Sequence, residues 1–170
     1  MDEQEARISG AIDQHAANID RFRKGELTPD QFRPLRLAMG VYAQLAHVKH
    51  MQRIKVPGGR VSAAQLEALA DVTERWGRGL AHVTTRQDIQ LHYLEIEETV
   101  ELQRVLATQG VTTVGACADT LRNVTASHFS GVIDGEIEDP RIVSEAIRQW
   151  STFHPEFSYL PRKFKIAVNG

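Results

Sequence analysis

Arg53, Lys55, Arg86, Arg122, Arg162, Lys163 and Lys165 stand at expected strand faces and loop junctions, not on helix surfaces. A lone arginine is most often a solvated surface charge. These come from separate segments with a shared texture. Arg53 and Lys55 flank Ile54 just ahead of a Pro57-Gly58-Gly59 turn, Arg86 sits in Thr84-Thr85-Arg86-Gln87 between two expected strands, and Arg162-Lys163-Phe164-Lys165 leads into an apolar run. Positive charges converging on the end of a sheet need an anion. Arginine offers it a rigid donor fork and lysine a point charge.

Other chemistries find less support. His47 and His50 are spaced i, i+3, and His82 and His92 fall on adjacent expected strands, but neither pair has a third ligand at a zinc-like spacing. Both pairs therefore read as surface or hydrogen-bonded histidines, and no metal site is expected. Cys117 is the single cysteine, which excludes an internal disulfide and reads as a small buried residue. There is no Gly-Lys-Ser/Thr phosphate loop, no Gly-x-Ser-x-Gly elbow and no Gly-x-Gly-x-x-Gly after a strand, so nucleotide-hydrolase, serine-hydrolase and dinucleotide-dehydrogenase readings lack their motifs. Trp76, Tyr93, Phe129 and Trp150 are expected in the core.

The chain has 170 residues, 42% hydrophobic and 25% charged, with net charge −2. That describes one ordinary domain or two small ones with a real core, not a disordered or low-complexity segment. A slightly acidic balance argues against a nucleic-acid partner. No apolar run approaches the ~18 residues of a membrane span, and the acidic, polar start is unlike a secretory signal. The expected compartment is the cytoplasm.

The basic residues must be positioned by the elements between them. Ile8, Ile12, Ala16, Ile19 and Phe22 recur at helical spacing, predicting a helix over 3–24 that Gly25 stops. Thr28-Pro29-Asp30-Gln31 is a capping box opening a second helix, in which Pro34 and Gly40 argue against a long regular run. Residues 52–56 alternate polar and apolar, placing Arg53 and Lys55 on one face of a strand. Ser62 to Gln65 caps a helix to about Trp76, with Leu66, Leu69, Ala70, Thr73 and Trp76 facing inward. Strands are expected over 80–84, 89–93 and 111–114, with a helix over about 100–109. The pattern β-α-β-β-α-β is that of the ferredoxin-like split unit, with both helices on one face of a single sheet. After Gly115 the texture turns irregular, with a helix from Pro140 or Arg141 to about Trp150 and a strand over 164–168.

Four segments in order, MQRIKVPGG at 51–59, HVTTRQDIQ at 82–90, DTLRNVT at 119–125 and LPRKFKI at 160–166, resemble the N-terminal part of the sulfite and nitrite reductase haemoprotein family. The likeness runs from about Phe32 to the end, and WSTFHPEF at 150–157 is most similar to the bacterial sulfite-reducing branch. It implies an α+β fold in three parts: an N-terminal helical segment (1–45), a ferredoxin-like half-domain (46–114) and the first part of a catalytic domain that binds sirohaem and a 4Fe–4S cluster (115–170). It implies a cytoplasmic oxidoreductase of sulfur assimilation that reduces sulfite to sulfide, or nitrite to ammonia, by six electrons.

By the same resemblance, Arg53, Arg122, Lys163 and Lys165 would line the substrate side, holding the oxyanion and relaying protons. Thr84, Arg86, Gln90, Asn123 and Arg162 would contact sirohaem or its carboxylates, with His82 a further candidate. Both roles suit fixed positive charge. The expected partners are sulfite or nitrite, a C-terminal half or second subunit, and a flavoprotein or ferredoxin as electron donor. The family's cluster cysteines belong to a later half of a longer chain. With Cys117 alone these residues cannot hold the cluster, so the chain by itself is expected to be inactive. A further departure is Asp88, where the family pattern leads one to expect Asn. The alternative reading is a non-enzymatic α+β module that binds an anion or a protein partner with the same basic face.

Overall fold

The structure is a computed structural model that describes residues 3–44 and 48–170. His47, half of the i, i+3 pair, lies outside the described residues. Helix α1 spans Glu3–Arg23, with Ile8, Ile12, His15 and Ile19 buried along one stripe, acidic residues in its first turn and arginines in its last, as the helix dipole favours. Helix α2 spans Pro29–Ala38 and opens with the expected reciprocal cap: Gln31 N donates to Thr28 Oγ1 (3.3 Å) and Thr28 N donates to Gln31 Oε1 (2.9 Å). It runs through Pro34 and ends just before Gly40. Phe22 and Phe32 stack at 4.5 Å between centroids, fixing α2 on α1.

Four antiparallel strands form the main sheet: β1 (Val41–Gln44), β2 (Lys49–Ile54), β3 (His82–Val83) and β4 (Ile89–Leu94), in spatial order β1-β2-β4-β3. Helices α3 (Ala63–Arg75) and α4 (Glu98–Ala107) cover it. Ile54, Leu91 and Leu94 from the sheet meet Leu69, Val72, Leu102 and Leu106 from the helices in one core. A second core joins Ile8, Ile12 and Ile19 of α1 to Phe32, Met39, Val41, Ile96 and Val100.

The structure corrects the expected strand set. Residues 111–114 do not form a strand, because the edge of β2 is already taken: β1 pairs along it, and Arg53 N donates to Gly40 O at 2.8 Å. The 111–114 segment instead has no regular structure, with Val111 in the core. The expected strand over 80–84 is only His82–Val83, and both residues are exposed. Between His50 and Gln52 the β2–β4 register slips by one residue, and Tyr93 adopts φ +65°. This bulge turns Tyr93 outward, 45% exposed beneath the Arg78 guanidinium, while Leu94 returns to the core. Phe129 and Trp150, also expected inside, are 51% and 62% exposed. Leu66 faces solvent, and the buried face of α3 is Leu69, Val72 and Thr73.

Residues 115–170 wrap the end of this sheet. Strands β5 (Thr125–Ala126) and β6 (Ala167–Val168) pair in parallel, extended by the Leu121–Phe164 bridge. Arg122 N donates to Phe164 O (2.9 Å) within this ribbon, and Gly58 N donating to Val124 O (2.9 Å) carries it onto the turn after β2. Helices α5 (Pro140–Ser151) and α6 (Pro155–Ser158) flank it. Among the described residues no helix is long and apolar enough to cross a membrane.

Candidate functional site

Where the ribbon meets the sheet there is a cleft of about 320 Å³, lined by Tyr42, Arg53, Thr84, Thr85, Arg86, Asp88, Gln90, Arg122, Lys163 and Lys165. Each cation arrives from a different place. Arg53 comes from β2, Arg86 from the β3–β4 turn, Arg122 from the strand-like run before β5, and the two lysines from the run before β6. The pairing of 121–126 with 164–168 therefore sets Arg122 beside Lys163 and Lys165, although about forty residues separate them.

The hydrogen-bond partners of the three arginines are neutral. The Gln90 amide oxygen, in the orientation that satisfies its hydrogen bonds, accepts from Arg53 Nε (2.9 Å) and Nη2 (2.6 Å), and the guanidinium lies 5.3 Å from the Tyr42 ring centroid. Arg86 Nη2 donates to the carbonyls of Asn123 (2.6 Å) and Ile166 (3.2 Å), while its buried Nε has no partner. Arg122 Nη1 donates to Ala118 O at 3.2 Å. None of these five cations takes part in the carboxylate ion pairs found among the described residues, which lie elsewhere on the molecule. Positive charge in excess of the single Asp88 carboxyl, facing a common void, is a site for an anion.

The turn from Thr84 to Asp88 is held by its own polar groups. Thr84 Oγ1 accepts from Arg86 N (3.2 Å) and Asp88 N (3.1 Å), and Thr84 N donates to Asp88 O (2.9 Å). Asn123 is buried beneath the cleft wall, its amide donating to Val56 O (2.9 Å) and Arg86 O (3.0 Å). It fixes the Arg86 turn rather than lining the cleft. Arg162 is exposed and outside the lining, as is His82, whose ring lies 6.1 Å from His92.

Lys55 parts from Arg53. Strand β2 ends at Ile54, so the alternation does not carry on, and Lys55 is buried with Nζ reaching Leu121 O at 3.4 Å. Burial, with Arg148 nearby, pulls its pKa down to about 8. Asp88, by contrast, lines the cleft, and its role there was not foreseen beyond the charge it adds. It is 6% exposed. Burial pushes its pKa up to about 6 against the opposing pull of Arg53, Arg122, Lys55 and Arg86.

The donor chemistry fits a polycarboxylate macrocycle and a small oxyanion. The unpartnered Arg86 Nε and the cations without carboxylates are what such groups require, and the volume suits an oxyanion with the carboxylate-bearing edge of a ring. A 4Fe–4S cluster does not fit these residues. Cys117 is buried against the cleft wall with its thiol pushed up to about 12 by burial. No group of three or more potential metal ligands occurs among the described residues.

Residues 42–109 match the family model described as the nitrite/sulfite reductase ferredoxin-like half domain. Residues 117–170 match that of the nitrite and sulphite reductase 4Fe-4S domain. A ferredoxin–nitrite reductase of Leptolyngbya laminosa is 34% identical over 138 residues, covering 78% of this chain and 27% of the relative. A sulfite reductase (ferredoxin) of Mycobacterium tuberculosis is 36% identical over 120 residues, covering 71% and 22%. The solved structure of the Mycobacterium tuberculosis NirA protein superposes with a TM-score of 0.76 at 28% identity, over 84% of this chain and 29% of that one. The chain thus spans about a quarter of the length of the curated relatives it matches.

Proposed function

The chain belongs to the nitrite and sulfite reductase haemoprotein family, and we propose that it forms the N-terminal part of a sirohaem-dependent reductase, supplying the basic wall of the pocket that holds sulfite or nitrite. The observation that carries this reading is the convergence of Arg53, Arg86, Arg122, Lys163 and Lys165 on one cleft. Sirohaem, when bound, would supply a redox-active iron for the reduction of the oxyanion. Arg86 and Thr84 would meet its carboxylates. Arg53, Arg122, Lys163 and Lys165 would neutralise the oxyanion and carry protons to the oxygens that leave. Asn123 acts through Arg86, holding the turn that presents it. Gln90 acts through Arg53, whose guanidinium it orients. The cluster, the electron donor (a ferredoxin or a flavoprotein) and the remaining catalytic surface come from outside these 170 residues, whose three parts, 1–45, 46–114 and 115–170, then serve as helical support, sheet wall and basic ribbon.

Two measurements test this. Sulfate binding to the purified chain, followed by calorimetry at low salt, is expected to weaken about tenfold to a hundredfold in Arg122→Ala. A hydrogen bond from a charged donor is worth roughly 1.5–3 kcal/mol. Arg21→Ala on α1, where Arg21 pairs with exposed Glu26, should leave it unchanged. Equal losses in both variants would mean the cleft is not the site. Second, the chain supplied with sirohaem and reduced methyl viologen should make no sulfide from sulfite, because Cys117 alone cannot hold the cluster that relays electrons. Sustained sulfide production without a second polypeptide would overturn the assignment of the electron path.

A further inference from the structure

Asp88 is the one carboxyl in a cleft with five cations. Its position is fixed: its N donates to Thr84 Oγ1, its carbonyl accepts from Thr84 N, and the turn residue before it, Gln87, adopts φ +59°. Yet it pairs with none of the cations around it. No ion pair joins it to Arg53, Arg86, Arg122, Lys163 or Lys165 among the described residues, and its Oδ1 is buried with no hydrogen-bond partner.

A buried carboxylate oxygen without a donor is costly, because the charged form has lost water and gained no hydrogen bond at that oxygen in return. The neutral acid suffers far less and carries an O–H that must go somewhere. The charged and titratable groups around Asp88 are Arg53 from β2, Lys55 from the turn after it, Arg86 from its own turn, Arg122 and Cys117 from the segment before β5, and the lysines from the run before β6. None of these charged groups accepts a proton from a carboxylic acid, whereas a bound oxyanion does.

Building on the anion-cleft reading, we infer that Asp88 is the proton-holding acid of the cleft. Its neutral carboxyl donates O–H to the bound oxyanion, and its carboxylate form repels that anion. The residue thereby makes anion affinity depend on pH across the weakly acidic range, a property that Asn at this position would not have. Burial supports this by raising the carboxyl's pKa to about 6, in spite of the surrounding cations.

The probe is sulfate, which stays a dianion from pH 5 to 8, so the pH dependence reports the protein alone. Calorimetry on the full 170-residue chain at constant ionic strength should show sulfate affinity falling about tenfold or more between pH 5 and pH 7.5. In Asp88→Asn the profile should flatten, with affinity at pH 7.5 at or above that of the unsubstituted chain. By reciprocity of linked equilibria, saturating sulfate should raise the Asp88 titration midpoint, read by carbon-13 NMR of aspartate-labelled chain. That measurement stands without the variant if Asp88→Asn misfolds. Sulfate binding that is insensitive to pH, a variant profile parallel to the original, or a midpoint unmoved by sulfate would each overturn the role of Asp88 while leaving the anion cleft standing. No sulfate binding at any pH would instead overturn the cleft reading itself, and this inference with it.

Discussion

Gly40→Ala is expected to destabilise the fold by about 3 kcal/mol or more and to spoil the anion cleft. Gly40 adopts φ +80°, and a Cβ built there would lie 2.7 Å from Arg53 O, 2.8 Å from Gln52 Nε2 and 2.8 Å from Thr113 O. Two of these are backbone atoms of neighbouring segments, so relief requires moving chain and not merely a side-chain tip. The left-handed conformation alone costs an alanine roughly 1–2 kcal/mol, and overpacking adds typically about 1–3 kcal/mol. The crowding has a local reason. Gly40 O accepts from Arg53 N, and the Gln52 side chain donates to Met39 O at 2.9 Å while accepting from Gln103 Nε2 at 2.9 Å. Pushing these apart shifts Arg53, a wall of the cleft. Gly25→Ala is the matched control, because Gly25 has φ +76° with nothing within 4 Å and so pays only the backbone cost. Urea unfolding of both variants, with sulfate affinity measured alongside, separates crowding from conformation. Equal stability losses at the two positions would show that the approach at Gly40 relaxes freely.

The same neighbourhood shows what the sequence could and could not tell. The capping boxes at Thr28 and Ser62 were legible because each needs only two residues three apart, and both form. Strand β1 was not legible. Val41-Tyr42-Ala43-Gln44 is short, follows a helix with an internal proline, and gains its place only by pairing with β2. Residues 111–114, β-branched throughout, carried the stronger local signal and lost the edge to β1. A one-residue bulge with a non-glycine residue at positive φ, as at Tyr93, leaves no mark in the period of a strand, so the fate of that aromatic was hidden. Nor does alternation reveal that a polar Gln52 is fully buried and answered by Gln103 from α4. Such pairs exist only across tertiary contacts.

The basic cleft was legible in kind but not in detail. The residue types at strand ends suggested an anion, and the family resemblance suggested which segments meet. The structure adds that Lys55 turns away, that Asn123 supports rather than lines, and that Gln90 is engaged by Arg53. Asp88 stood out in the sequence only as one added negative charge. Its burial, which pushes the carboxyl's pKa up to about 6, goes with the β3–β4 turn being held by Arg86 to the carbonyls of Asn123 and Ile166.

The fold should lose stability as pH falls from about 6.5 to about 4, by on the order of 3 kcal/mol, and the buried histidines His15 and His50 are the cause, partly offset by Asp88. His15 sits on the buried stripe of α1, 1% exposed, with Nε2 at 3.0 Å from Thr99 Oγ1. The Thr99 hydroxyl already donates to Ile96 O at 2.6 Å, and it has one proton to give, so His15 Nε2 carries the hydrogen and donates. The second proton must then go to Nδ1, which is buried without a partner, as is Nδ1 of neighbouring His50. Burial accordingly lowers both histidines to about 4 from an ordinary value of 6.5, each reinforced by a nearby cationic or titrating neighbour. Between those values the unfolded chain binds protons that the native state refuses, so stability drops with falling pH, by about 1.4 kcal/mol per pH unit for each such proton. Asp88 acts with the opposite sign. Its raised pKa makes the native form bind a proton between about 6 and its ordinary 3.8, which cancels roughly one histidine and leaves the other as the net effect. The carboxylates held low by their arginines act at and below the acidic end of this window, Glu97 from its ordinary 4.5 and Asp139 from 3.8. His15→Gln keeps a donor for Thr99 but does not titrate, so its stability should be nearly level from pH 6.5 to 4 where the unsubstituted chain declines. Urea unfolding at half-unit pH steps reads this slope difference directly. Parallel slopes for the two proteins would mean that His15 takes up its proton within the fold, and that the α1 stripe opens to water where the structure closes it.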